Sequence, residues 1–181
     1  MTKSIFRSRA DRPWGSAALA LSVFAFVTAA ITPAEAVTRV QKTFGKWVVT
    51  CVDNDNNART CSMSQSQAAA GATQGTALVL TVRGSKDKPT LVAVVPTGIS
   101  VQDGVTLNPG GDVQPMALPY TFCGPRVCVS SLPLDAKLLA ALKAGQKLLA
   151  NYVLGNKKLV QVNVDLASFG DAYAYLVSQS P

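Results

Sequence analysis

Four cysteines, Cys51, Cys61, Cys123 and Cys128, are the side chains of this sequence best suited to covalent chemistry. Their spacings differ from the Cys-x-x-Cys of thiol redox centres and zinc sites. The chain has no His, which removes His-activated nucleophiles, His-ligated zinc and a His pH switch. An even cysteine count instead suits two disulfides. Three pairings are arithmetically open. The expected one is Cys51–Cys61 with Cys123–Cys128, because each pair is close in sequence and separated by turn-forming residues. Each bridge closes a short loop, worth about 2–3 kcal/mol in the chain-entropy account.

Other candidate motifs are weaker. Asp53-x-Asp55-x-Asn57 opens like a calcium loop, but Ala58 and Ser64 stand where that loop needs Gly and Glu. A solvated turn is the expectation. Gly110-Gly111 is not followed by the Lys-Ser/Thr of a phosphate loop, and there is no Gly-x-Ser-x-Gly elbow. No cofactor, metal or catalytic residue is therefore expected. A Ser–Lys dyad or a spatial pair of Asp carboxylates stays compatible with the sequence, so a hydrolase, or an inhibitor of one, is the alternative to a non-enzymatic protein.

The elements that must position these residues are mostly strands. In Phe44–Cys51, Trp47, Val49 and Cys51 point one way, and Trp47 is expected to pack against a disulfide. Asp53–Asn57 turns, and Arg59–Gln67 returns as the partner strand. Gln67–Gly75 reads as a loop, Thr76–Arg83 as a strand, Gly84–Pro89 as a turn and Thr90–Val95 as a strand. Ile99–Val101 and Val105–Leu107 are expected to form a hairpin about Asp103-Gly104. Val113–Phe122 is broken by Pro and reads as edge strand or loop. Arg126–Ser130 carries Cys128 on a short strand.

Asp135–Ala144 is the best helix, capped by Asp135 and stopped by Gly145, with Leu138, Leu139 and Leu142 on one face. Gln146–Leu154 and Lys158–Leu166 are strands, the latter with Val160, Val162, Val164 and Leu166 facing inward. Ser168–Leu176 reads as a terminal helix with capping-box spacing between Ser168 and Asp171. Val37–Thr43 is a polar lead-in. About eight short strands with Gly, Pro and Asn turns indicate an all-β antiparallel sandwich or barrel.

The first 36 residues are set apart. Lys3, Arg7, Arg9 and Arg12 precede an apolar stretch, Ala17–Ile31, and then Ala34-Glu35-Ala36. These are the parts of a secretory signal peptide cleaved between Ala36 and Val37. The apolar stretch is shorter than the roughly 20 residues of a bilayer span, so no stable membrane span is expected after cleavage. Residues 37–181 then form one disulfide-braced domain, periplasmic or secreted.

Hydrophobic residues make up 48% of the 181 and charged residues 15%, which excludes a disordered chain. The 17 Lys and Arg exceed the 10 Asp and Glu, for a formal charge of +7. The bases are scattered, with small groups at Lys86/Lys88 and Lys157/Lys158. No basic stripe or aromatic-basic module suggests nucleic-acid binding. A mild basic surplus implies weak attraction to acidic partners, such as anionic lipid headgroups, surface glycans or an acidic protein.

The order Phe44-Gly45-x-Trp47-x-x-x-Cys51, Cys61, Pro96-x-Gly98 with Gly104, and Cys123-x-x-x-x-Cys128 is continued by an apolar helix ending at Gly145. A strand then leads into Leu166-x-x-Phe169 with Ala172. This pattern resembles the invasion-associated locus B family of exported alphaproteobacterial proteins, over about Phe44 to Leu176. Ser168 departs from the Gly common before the Phe in that family. The resemblance implies a small immunoglobulin-like β-sandwich with internal disulfides and no catalytic residues. The founding member is linked to host-cell invasion, of red blood cells, which implies a virulence role there; many relatives belong to free-living or plant-associated bacteria. The expected function is non-enzymatic binding to an envelope or host-surface protein or glycan, through the loops Gln67–Gly75, Gly84–Pro89 and Asn108–Pro119. A purely structural envelope role is the third reading.

Overall fold

The structure is a computed structural model and describes residues 38–53, 58–69 and 75–180. Residues 1–37 and 54–57, with the expected signal peptide, the Ala36–Val37 cleavage point and most of the calcium-like motif, lie outside the described residues. Eleven strands and two helices are present among the described residues. They are β1 (Arg39–Phe44), β2 (Trp47–Asp53), β3 (Arg59–Gln67), β4 (Leu78–Arg83), β5 (Thr90–Pro96) and β6 (Val105–Asn108). Then follow β7 (Met116–Leu118), β8 (Phe122–Cys123), β9 (Val127–Pro133), α1 (Ala136–Ala144), β10 (Lys147–Val153), β11 (Leu159–Asp165) and α2 (Phe169–Gln179).

All pairings are antiparallel and make two sheets. One has seven strands in the order β1-β2-β3-β4-β5-β9-β8, the other four in the order β11-β10-β6-β7. The chain is thus a two-sheet antiparallel sandwich with helices near its C-terminus, as the strand-rich sequence leads one to expect. Alternation sets the inner face of the larger sheet. Trp47, Val49 and Cys51 of β2, Cys61, Met63 and Gln65 of β3, and Leu78, Leu80 and Val82 of β4 are all buried. The smaller sheet supplies Val105, Leu107, Leu148, Ala150, Val162 and Val164. Each fully buried aliphatic side chain of this kind contributes about 1.5–3 kcal/mol.

Helix α2 packs on β1, β2 and β3. Phe169 meets Trp47 edge-on at 5.2 Å, and Tyr175 meets Phe44 at 5.4 Å. The aromatic partner of Trp47 is therefore Phe169, in addition to the Cys51 and Cys61 that share its inner face.

Four buried polar side chains stitch the sheets together. The Gln65 amide donates to the Asp165 carbonyl at 2.9 Å and accepts from the Asp165 N–H at 3.1 Å. Trp47 Nε1 donates to the same carbonyl at 2.9 Å. Tyr152 Oη donates to the Ala77 carbonyl at 3.0 Å, and Ser130 Oγ to the Leu118 carbonyl at 3.4 Å. The Gln65 amide thus does for Asp165 what a neighbouring strand's backbone would do.

Both cysteine pairs are cross-strand neighbours. Cys51 stands opposite Cys61 in the β2–β3 register, and Cys123 opposite Cys128 in the β8–β9 register; each Cα pair is 4.1 Å apart. Their Sγ atoms are at bonding distance, 2.09 and 2.03 Å. Cys51 and Cys61 are buried, at 3% and 4% exposure, whereas Cys123 is exposed on the β8–β9 hairpin.

Several local expectations are corrected. Val37–Thr43 is not a mere lead-in: its residues from Arg39 onward build β1, which pairs with β2 along its whole length. Being an exposed edge, β1 needs no hydrophobic alternation, and so it gave no strand signal. Gly45, at φ +56°, makes the turn between β1 and β2. The Ile99–Leu107 hairpin does not form. Residues 101–103 are a turn, Ile99 makes a single bridge with Leu154, and β6 pairs with β10 and β7. Gly104, at φ +65°, is pressed against the Leu118 carbonyl, only 2.4 Å from where a Cβ would sit, so the turn aims β6 at β7.

Ser168 makes no side-chain cap on α2, while Asp135 caps α1 through Leu138 N–H at 2.7 Å. Gly145 ends α1 at an ordinary φ of −74°; a Cβ there would sit 3.0 Å from Leu166 Cδ1, so space is the reason for glycine.

Two outcomes are expected. Gln65→Leu leaves the Asp165 N–H buried without its acceptor and should destabilise the fold by about 1–3 kcal/mol. Urea denaturation measures it; an unchanged midpoint refutes the role given to this amide. Limited reduction followed by alkylation and mass mapping should open Cys123–Cys128 before Cys51–Cys61, because only the former presents an exposed sulfur-bearing residue.

Candidate functional site

Three of the aspartates have defined partners in the structure. Asp53, the first residue of the calcium-like motif, is held by Arg59: Nε donates to Oδ1 at 2.7 Å and Nη2 to Oδ2 at 3.0 Å. Arg59 Nη1 also donates to Gln179 Oε1 at 3.3 Å, tying this strand end to the end of α2. Asp165 lies 3.8 Å from Lys46 Nζ and accepts from Ala167 N–H at 2.9 Å. Asp135 is the helix cap. No group of three or more His, Cys, Asp or Glu among the described residues could hold a metal ion.

The tyrosines are structural. Tyr120 donates to the Gly104 carbonyl at 3.3 Å, and burial is the main reason its phenol is pushed up to about 12. Burial likewise raises Tyr152 and Tyr173.

Arg59 holds the Asp53 carboxyl below its ordinary value of 3.8, first through the side-chain hydrogen bonds and further through its charge, with burial opposing. A carboxyl lowered in the folded state stabilises the fold above its unfolded value, and that contribution is lost as pH falls below 3.8 through the folded value. Asp53→Asn should therefore flatten the acid limb of a plot of Tm against pH. An acid limb identical to that of the parent protein refutes the pairing.

Of the loops singled out by composition, residues 70–74 of Gln67–Gly75 lie outside the described residues. Gly84–Pro89 is a tight turn in which Gly84 takes φ +104°. The Asn108–Pro119 segment faces α1 across an open cleft of about 610 Å³. Pro109, Gly110 and Gly111 line one side and Ala140, Ala141 and Ala144 the other, with Asp112 and Lys137 adding charge. This cleft suits a small, mostly apolar occupant.

A second surface arises from segments that sequence reasoning treated separately. The 97–104 connection, the β8–β9 turn and the β10–β11 turn are gathered at one end of the sandwich by backbone hydrogen bonds. Thr97 N–H donates to the Arg126 carbonyl at 3.3 Å, Ser100 N–H to Val153 at 2.8 Å, and Gly155 N–H to Gly98 at 2.8 Å. The exposed side chains here include Val101, Phe122, Arg126, Val127, Lys157 and Lys158. The Lys157/Lys158 group was visible in the sequence; its convergence with Phe122, Arg126 and Val127 was not. No helix among the described residues is long and apolar enough to cross a membrane.

Comparison with known proteins agrees with this architecture. Residues 47–177 match the family described as invasion associated locus B (IalB) protein. Two invasion protein B homologs of Brucella abortus, from strain 2308 and from biovar 1 strain 9-941, are each 31% identical over 136 residues, covering 74% of this chain and 76% of theirs. The crystal structure of invasion associated protein B from Bartonella henselae superposes with a TM-score of 0.67 at 21% identity, covering 77% of this chain and 95% of that one, and so shares the fold. The matched segment runs from the Trp47 that anchors the first sheet into the α2 that covers it: the chain belongs to the invasion associated locus B family.

Proposed function

We propose that this is an exported, non-enzymatic protein that works by binding a component of the cell envelope or of a host surface. The observation that carries the reading is the construction of the sandwich end. Three loops are gathered by backbone hydrogen bonds onto a frame braced by two cysteine pairs, and they present exposed apolar and basic side chains. Loops on a rigid scaffold are where recognition is usually placed. Cysteine pairs at bonding distance suit an oxidising compartment. The charged n-region, apolar stretch and Ala34-Glu35-Ala36 triplet support export with cleavage before Val37. The relatives are named for invasion, which supports a host-facing or envelope-facing role for this chain too.

Two results are expected. Intact mass of the protein recovered from the producing cell's periplasm or medium should correspond to a chain starting at Val37 with both cysteine pairs oxidised. A chain found only in the cytoplasm refutes the export reading, a retained Met1 refutes the cleavage, and four free thiols refute the oxidised pairs. Crosslinking in the native envelope should then capture one dominant protein or glycan. Turnover on an envelope substrate panel, with no partner above background, would instead assign a hydrolase.

A further inference from the structure

We propose that the three-loop end of the sandwich is a docking surface for an anionic phospholipid membrane, with Phe122 and the other exposed apolar side chains of this end entering the interface while Arg126, Lys157 and Lys158 meet the headgroups. The inference rests on the reading that the chain acts by binding, and it names the chemistry of the partner.

Five large apolar side chains are exposed among the described residues: Phe122 at 62%, Val101 at 60%, Leu159 at 52%, Val40 at 39% and Val127 at 38%. Four of the five belong to this end. Phe122 and Val127 flank the β8–β9 turn, Val101 lies in the 97–104 connection, and Leu159 opens β11 directly after the β10–β11 turn. Phe122 and Leu159 stand on the larger and the smaller sheet respectively, so the apolar groups flank the end from both layers. Scattered single apolar residues need no explanation, but their concentration on hydrogen-bonded neighbouring loops does.

The charges on the same loops are one-sided. Arg126, Lys157 and Lys158 stand against the single carboxylate of Asp103. Apolar and aromatic side chains ringed by Lys and Arg are the composition that seats a protein at an anionic lipid interface. The Gly84–Pro89 turn makes the contrast. It carries Lys86 and Lys88 but no exposed large apolar side chain, and Asp87 lies between the two bases.

Two details show how these side chains are presented. Lys157 has φ +67°, the only residue other than glycine with a positive φ among the described residues. Glycine or asparagine is the unstrained choice at such a turn position, so the fold keeps a cation there against backbone preference. The Phe122 ring lies over Gly124, where a Cβ would come within 3.2 and 3.3 Å of ring atoms. Glycine thus provides the floor on which the ring rests, and the adjoining Cys123–Cys128 pair braces the hairpin that holds it out.

The test uses the exported protein as recovered from cells and sedimentation with vesicles of phosphatidylcholine, with and without phosphatidylglycerol. Binding is expected only with phosphatidylglycerol and should weaken as salt is raised. Lys157→Gly relieves the turn, so Tm should hold or rise while vesicle affinity falls about fivefold. Phe122→Trp should retain binding and show a blue-shifted emission on adding anionic vesicles, and Phe122→Ser should weaken binding without a comparable loss of Tm. Absence of binding to phosphatidylglycerol vesicles, or binding undiminished in the Lys157→Gly, Phe122→Ser double variant, overturns the proposal. If vesicles are ignored while native-envelope crosslinking still captures a protein or glycan, the lipid assignment fails and the binding function stands. If both are negative, both fail.

Discussion

The fold depends on the backbone of one residue, Asp165. Its carbonyl takes hydrogen bonds from Trp47 and Gln65, and its N–H returns one to the same Gln65 amide. Trp47 and Gln65 sit on the inner face of the seven-stranded sheet, and Asp165 closes β11 at the edge of the other. Two sheets held by aliphatic packing alone can slide, because dispersion and hydrophobic burial have little directionality. A buried amide with both its donor and its acceptor engaged admits one alignment, since any slip would strand polar groups in the core. The Phe169 edge contact with Trp47 then places α2, and α2 covers the strands that the smaller sheet leaves open.

Much of the strand pattern was legible because it rests on local alternation. Trp47-Val49-Cys51 and Val162-Val164-Leu166 point inward as their spacing implies, and Asp135 caps the helix whose apolar face holds Leu138 and Leu142. The parts that were not legible depend on distant partners. Gln65 lies in a Ser- and Gln-rich strand with little apolar alternation to mark its inner face, and its burial makes sense only once Asp165 is placed. Asp103-Gly104 carries a hairpin signal, yet the strand that leaves it pairs with β7 and β10, because local turn chemistry does not name the partner. The candidate surface shares this character. Composition pointed to the loops richest in glycine and small polar residues, whereas the convergence of 97–104, 124–126 and 154–158 is a product of sheet topology.

Membership in the invasion associated locus B family and the shared fold with the Bartonella henselae protein fix what kind of molecule this is without naming a reaction. Three aspartates are engaged, Asp53 in an ion pair, Asp135 as a helix cap and Asp165 as a strand-end tether. Among its accessible features are a cleft beside α1 and an end rich in exposed apolar and basic groups. Both are surfaces suited to contact.

The long reach of the Asp165 clamp also orders events in time. Strands β1 to β5 form a meander in which each pairs with the strand before it, so the first sheet can grow as the chain lengthens from its N-terminus. Gln65 and Trp47 must nevertheless wait for a partner 100 and 118 residues further along. Until that segment arrives, the sheet exposes an apolar face with two unmet polar groups at its centre, and closure comes only with the last strand and helix. The inner face of the first sheet is therefore complete only when the last strand and helix are in place, and loss of that C-terminal segment would cost the whole sandwich rather than one edge of it.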